Sequence, residues 1–208
     1  MADQQPISGT QFLPVMETFF TIQGEGAHSG TPAWFVRLGG CHVGCTWCDV
    51  KASWDEAAHP KRDIRELAEE AKQTGAPIAV ITGGEPSRYN LSAFTDALHA
   101  AGLKVHIETA GTDPLRGTFD WITLSPKKFL LPAEENYMRA DELKVIAFNE
   151  NDYQWAITQA SKVKTQCRLY IQAEWDRRER MYPRMMEFVR TNPQWNISVQ
   201  IHKYLGVD

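Results

Sequence analysis

The chain contains no uninterrupted apolar run of about 18 residues, so nothing in it has the length of a membrane-crossing helix. It opens MADQQPISGT, without the charged and then apolar pattern of a secretory leader. Basic residues are not in excess. The 22 Lys and Arg against 26 Asp and Glu give a net charge of −4, and binding to a phosphate backbone would call for the opposite balance. No internal repeat, low-complexity tract or long linker divides the 208 residues. Cysteine is scarce: there are four, and one of them stands far from the others, which excludes a disulfide scaffold. A soluble cytoplasmic protein is expected, binding neither membrane nor nucleic acid, with one domain over 15–208 behind a polar lead-in at 1–14. Its 43% of hydrophobic residues supply the core.

What is present is concentrated in one stretch. In 39-GGCHVGCTWCDV-50, Cys41, Cys45 and Cys48 follow a C-x3-C-x2-C spacing. Three thiolates leave a cubane iron–sulfur cluster one ligand short, and the open iron can take a small molecule. That incompleteness points to radical chemistry with S-adenosylmethionine (SAM). The same triad can instead hold zinc, with His28, His42 or Asp49 as fourth ligand, since zinc accepts sulfur, nitrogen and oxygen donors. Gly39, Gly40 and Gly44 give the loop freedom to wrap a compact inorganic core. Cys167, in an apolar run before RLYIQ, reads as a buried structural thiol.

Segments rich in β-branched and aromatic residues recur at 33–38, 78–82, 104–109, 121–125, 142–147, 168–172 and 196–202. Helical patterns lie between several of them. The first, 63–75, starts on Asp63 as N-cap and stops at Gly75; the second, 91–102, stops at Gly102. Strands alternating with helices imply parallel βα units. Seven strands with three or four helices fall short of an eight-fold barrel, so the expected fold is α/β: a single-domain, incomplete TIM-like βα barrel. In such barrels the site lies at the C-terminal strand ends. The triad, Gly83-Gly84-Glu85, Glu108-Thr109 and Ser125-Pro126-Lys127 all follow or end strands, and so converge on one mouth. Glu85, Glu108 and Lys127 bring charge to it. Trp54, Trp121, Trp155, Trp175 and Trp195 read as packing or interface residues.

The motifs ETFFTIQGEG (17–26), GTPAWFVRLGGCHVGCTWCD (30–49), ITGGEP (81–86), IETAG (107–111), SPK (125–127) and QIHK (200–203) together resemble the radical SAM superfamily and, within it, the 7-carboxy-7-deazaguanine synthase family. The resemblance covers nearly the whole chain. It implies that Cys41, Cys45 and Cys48 ligate a [4Fe–4S] cluster, and that Trp47, Cys48, Asp49, Gly84, Glu85, Ser125, Pro126, Lys127 and Gln172 contact SAM. It implies substrate contacts from Ile22, Gln23, Gly24, Arg37, Thr82, His202 and the terminal carboxylate of Asp208. The substrate so implied is 6-carboxy-5,6,7,8-tetrahydropterin. It would lose ammonia to give 7-carboxy-7-deazaguanine, a precursor of queuosine. Arg37 offers paired donors to a carboxylate, and Gln23 has both a donor and an acceptor for a pterin edge.

The family also implies Mg²⁺, a one-electron donor such as flavodoxin, and a homodimer. Its magnesium ligand is a hydroxyl directly after the Cys-Asp pair, where this chain has Val50. Valine has no oxygen to offer, which leaves Ser53, Asp55, substrate oxygens or water as donors and the ligand unassigned. Two other readings stand beside this one: a small activase that makes a glycyl radical on a protein, and a zinc-stabilised binding module.

Overall fold

A computed structural model describes residues 11–207. One nine-stranded sheet runs through it. Its strands, in chain order, are β1 (Phe12–Ile22), β2 (Pro32–Leu38), β3 (Lys61–Asp63), β4 (Ile78–Gly83), β5 (Lys104–Thr109), β6 (Trp121–Leu124), β7 (Glu142–Ala147), β8 (Arg168–Ala173) and β9 (Trp195–Ser198). The sheet order is β3-β1-β2-β4-β5-β6-β7-β8-β9. From β2 to β9 every neighbouring pair is parallel, while β1 joins β2 and β3 antiparallel. The two edges do not pair with each other. This is the incomplete barrel expected from the sequence.

Alternation along the strands decides which side faces what. On the convex side, Trp34, Val36, Leu38, Ala79, Ile81, Val105 and Ile107 pack against helices α1 (Ile64–Gln73) and α2 (Ser92–Ala100). Farther along the sheet, Leu143, Val145, Ile171 and Trp195 pack under α3 (Glu134–Arg139), α4 (Asn151–Ala160) and α5 (Arg178–Thr191). Each fully enclosed leucine or phenylalanine here contributes about 1.5–3 kcal/mol by leaving water. The intervening residues line the concave side, where Arg37, Thr82, Glu108, Lys144 and Gln172 meet one cavity. A seam of apolar residues holds the sheet against its helices, and the opposite face is left free for polar chemistry.

Helix α1 begins where Asp63 accepts a 2.8 Å hydrogen bond from the Arg65 backbone N–H, as its N-cap position predicts. Cys167 is buried in the second apolar cluster, as expected of a structural thiol. Two boundaries and the helix count differ from the sequence reading. The fold begins at Phe12 rather than at residue 15, because Phe12, Leu13 and Pro14 pair with β3, a contact between segments far apart in sequence. The run 196–202 is not one strand: β9 stops at Ser198, and Ile201–Leu205 form a short helix, α6. There are six α-helices among the described residues, not three or four. Helices α3 and α6 are too short to show a period, and α5 carries Pro183.

Candidate active site

A cavity of about 300 Å³ opens at the C-terminal strand ends. The loop after β2 brings Cys41, Cys45, Trp47, Cys48, Asp49 and Val50 to its wall. Behind the thiols, Val43, Cys45 and Ala110 form a small apolar cluster, with Cys41, Cys48 and Trp47 against it. None of the three cysteines is in a disulfide. Among the described residues, no three His, Cys, Asp or Glu side chains are grouped to hold a single metal ion. The three thiols share one wall of the cavity. The structure turns His42 away from the thiols altogether. One of its ring nitrogens lies 2.9 Å from Arg88 and the other 3.1 Å from Thr112, and the residue is absent from the cavity wall. His28 packs instead against His106 and Trp121, and Asp49 takes a hydrogen bond from Lys203. Of the three candidate fourth ligands for zinc, His28 and His42 therefore stand off the cavity wall, and Asp49 is engaged by Lys203. Burial pushes the Cys45 thiol up to about 11 and raises Cys41 as well. The positive charge of coordinated iron is what favours thiolates in such a place.

The cysteine loop is braced from the next strand. Gly84 N–H donates to Leu38 O at 2.8 Å and Glu85 N–H to Gly40 O at 2.9 Å, so the GGE turn lies flat on the backbone that leads into Cys41. Gly83 has φ +145°, and a Cβ on Gly84 would run into Gly40 O and stand 2.9 Å from Cys41 Cβ. Only glycines let the two backbones approach so closely. Glu85 lines the cavity, but its carboxylate is committed to the protein. It accepts from Ala110 N–H at 2.7 Å, from Ser87 N–H at 2.9 Å and from the Thr109 hydroxyl. On the next strand end, Lys127 donates to both Ser125 O (2.6 Å) and Ser125 Oγ (2.5 Å), and stands 5.6 Å from the Trp47 ring centroid. Pro126 is buried behind this turn and does not line the cavity.

On the far wall, Ile22, Gln23, Gly24, Arg37, Thr82 and His202 all line the cavity; Asp208 lies outside the described residues. Arg37 Nε donates to Glu17 Oε1 at 2.6 Å, which fixes the guanidinium against β1. Gln23 is engaged at both ends of its amide: Nε2 donates to Glu108 at 3.1 Å, and Oε1 accepts from Glu25 N–H at 3.0 Å. Its side chain thus holds other residues in place. Ser53 and Asp55 are excluded as cavity donors. The Ser53 hydroxyl donates to Val50 O at 2.7 Å, Asp55 caps Ala57 N–H at 2.9 Å, and neither reaches the wall. Val50 lines the cavity without a side-chain oxygen to offer a cation.

The sequence reading missed the charged centre of this wall. Lys144, from the middle of β7, donates to Glu108 Oε2 at 2.7 Å and to Glu25 Oε2, with its side chain only 4% exposed. Burial works against its charge, yet Glu108 and Glu25 outweigh that effect and hold it above the ordinary lysine range. The two carboxylates diverge. Burial raises Glu25 less than Lys144, Gln172 and Gln200 together lower it, leaving it at about 2; for Glu108, burial wins and the pKa rises. The available signal was a period of two, Glu142-x-Lys144-x-Ile146, placing a glutamate and a lysine on the inner face of a strand whose other residues are apolar. Gln200, Trp54 and Trp175 also line the cavity, so these two tryptophans are site residues and not only packing. Trp195, by contrast, is core.

The profile of the Radical SAM superfamily matches residues 35–130. The chain is 48% identical over 197 residues to the 7-carboxy-7-deazaguanine synthase of Flavobacterium psychrophilum, covering 95% of this chain and 93% of that one. It is 46% identical over 198 residues to the enzyme of the same name from Synechocystis sp., covering 95% of each. Among solved structures, QueE from Escherichia coli superposes with a TM-score of 0.80 at 28% identity, over 91% of this chain and 94% of that one. Fold and cysteine loop thus define a radical SAM enzyme, a class that uses a [4Fe–4S] cluster and SAM. Within that class, the chain belongs to the 7-carboxy-7-deazaguanine synthase family.

Proposed function

We propose that this enzyme converts 6-carboxy-5,6,7,8-tetrahydropterin to 7-carboxy-7-deazaguanine with loss of ammonia, in the cytoplasm and as a step towards queuosine. The observation that carries the reading is the shared cavity. Three thiols, the glycine turn, Arg37, Thr82 and the Gln23–Gly24 backbone face one space of about 300 Å³.

Cys41, Cys45 and Cys48 would hold the cluster, and Trp47, Asp49, Gly84, Ser125, Lys127 and Gln172 would surround SAM. When bound, these groups supply hydrogen-atom abstraction by a 5′-deoxyadenosyl radical. The chain's own contribution is placement. Arg37 would meet the substrate carboxylate, with Glu17 fixing the guanidinium. Ile22, Gln23 and Gly24 would border the pterin, His202 would pack over Gly24, and Asp208, outside the described residues, would be a further substrate contact. Pro126 and Glu85 would act from behind, bracing the turns that touch SAM. With no hydroxyl from Val50, Ser53 or Asp55, any Mg²⁺ would be held by substrate oxygens and water. The sheet would act as one catalytic domain, a transient donor such as flavodoxin would supply the electron, and two copies would form a homodimer.

Anaerobic incubation of the reconstituted, reduced enzyme with SAM and the carboxypterin, read by mass spectrometry, tests this. SAM-dependent formation of a product lighter by one ammonia is expected; cluster-loaded enzyme that cleaves SAM and leaves the pterin intact overturns the substrate.

A further inference from the structure

The buried Lys144 ammonium has a place in the proposed reaction that no motif assigns. It enters the cavity from β7 midway between Glu25, on the loop after β1, and Glu108, at the end of β5, and it bonds to both. Each carboxylate is held by further partners. Glu25 takes a hydrogen bond from Gln200 Nε2 at 2.7 Å, and Glu108 takes one from Gln23 Nε2 at 3.1 Å. All five residues line the cavity, so the loop after β1, the end of β5, the middle of β7 and the start of α6 are joined through one ammonium and its two carboxylates. A lysine needed only to neutralise a buried charge would require one carboxylate. Here there are two, on different elements, and both line the cavity. A tetrahydropterin carries several ring N–H groups that need acceptors, and each carboxylate oxygen has a lone pair beyond the bond shown here.

We propose that Lys144 is a positioning residue for pterin binding: it holds the Glu25 and Glu108 carboxylates in fixed orientation, so that Glu108 presents an acceptor to the substrate's ring N–H groups. This rests on the substrate reading above. The charged or titratable groups facing Lys144 are Glu25, Glu108 and Glu142, with Lys127 and His202 farther off. Removing the ammonium leaves the two carboxylates facing each other, and both then protonate more readily.

The test uses full-length enzyme loaded with cluster and SAM but left unreduced, so that binding is read without turnover. Lys144→Gln is expected to raise the pterin Kd by about tenfold, the loss of one charge-assisted contact. In turnover, the acid limb of its kcat/KM profile should move to higher pH. SAM affinity and the cluster absorbance should stay as in the wild type, and Lys144→Arg should recover most of the binding. Because two unpaired buried acids can also unfold the protein, the double variant Lys144→Gln/Glu25→Gln is measured alongside. It keeps the net charge of the trio, so stability should return while weak pterin binding persists. Wild-type pterin affinity and an unmoved acid limb in either folded variant overturn the inference. A wild-type enzyme that binds SAM but not the pterin overturns the substrate reading and the inference with it.

Discussion

Lys203 Nζ donates to Asp49 Oδ2 at 2.9 Å, joining the last helix to the loop that carries the three cysteines. The same helix meets the opposite wall: Ile201 N–H donates to Gly24 O at 3.0 Å, and the His202 ring packs directly on Gly24. Lys203 also stands 5.0 Å from the Trp175 ring centroid. Helix α6 therefore spans the mouth, fastened to the cysteine loop on one side and to the TIQGEG loop on the other. Asp49 is 61% exposed, so this ion pair adds less than about 1 kcal/mol to stability. Lys203→Ala is expected to leave the denaturation midpoint nearly unchanged and to raise KM for the pterin. A drop in midpoint with unchanged KM would show that the pair is structural only.

Gly24 is where that helix comes nearest. A Cβ there would overlap the His202 ring, which must then swing off the cavity wall. Gly24→Ala is expected to weaken pterin binding more than SAM binding, at a stability cost of about 1–3 kcal/mol from overpacking. Calorimetric titration with each ligand in turn separates the two effects.

At Gly84 the crowding falls on the other cofactor. With an alanine there, the GGE turn must lift off Gly40 and Cys41, so the cysteine loop shifts. Purified Gly84→Ala protein should carry less iron per chain after identical reconstitution, and should lose its cluster faster in air. Iron content equal to the wild type would mean that the loop tolerates the displacement.

Glu85 presents acceptors to two backbone N–H groups and one hydroxyl while 1% exposed. In Glu85→Gln, one oxygen becomes an NH2 that faces donors. The loss is expected at about 1–3 kcal/mol, as for a buried donor left without a partner. Chemical denaturation of the iron-free chain measures it without interference from the cluster.

The Glu142 carboxyl, 1% exposed under the site, accepts from Ala27 N–H at 2.9 Å. Burial, partly offset by Lys144 and reinforced by Glu108, pushes it from 4.5 to about 7. A carboxyl whose folded pKa is raised binds its proton more tightly in the native state. Its contribution is therefore complete below 4.5 and declines as pH rises to about 7. Over that window the wild type should lose on the order of 1–3 kcal/mol relative to Glu142→Gln. Urea unfolding of both proteins at the two ends of the window gives the difference, and parallel curves would rule out Glu142 as the titrating group.

Local rules placed a good deal of this molecule. The Cys41, Cys45, Cys48 spacing, the parallel strands from β2 to β8, the Asp63 cap and the convergence of strand ends on one mouth follow from periods, caps and connection rules that act over a few residues. What escaped was long-range. Phe12–Pro14 are strand only because β3 lies beside them, and the 196–202 run breaks after Ser198 because Ile201 turns back to Gly24. In sequence Lys144 is one lysine in a strand, Glu25 one glutamate in a turn and Gln23 one amide. Their meeting across 119 and 85 residues makes them a single charged unit. Spacing by itself narrowed the triad to a cluster or a zinc site, and the resemblance carried by the motifs along the chain selected the cluster, since short local motifs need no tertiary contact to be recognised. Which carboxylates are ionised, which oxygens are already taken and which helix closes the mouth were decided only by folding, because charge, desolvation and packing depend on what the chain brings alongside.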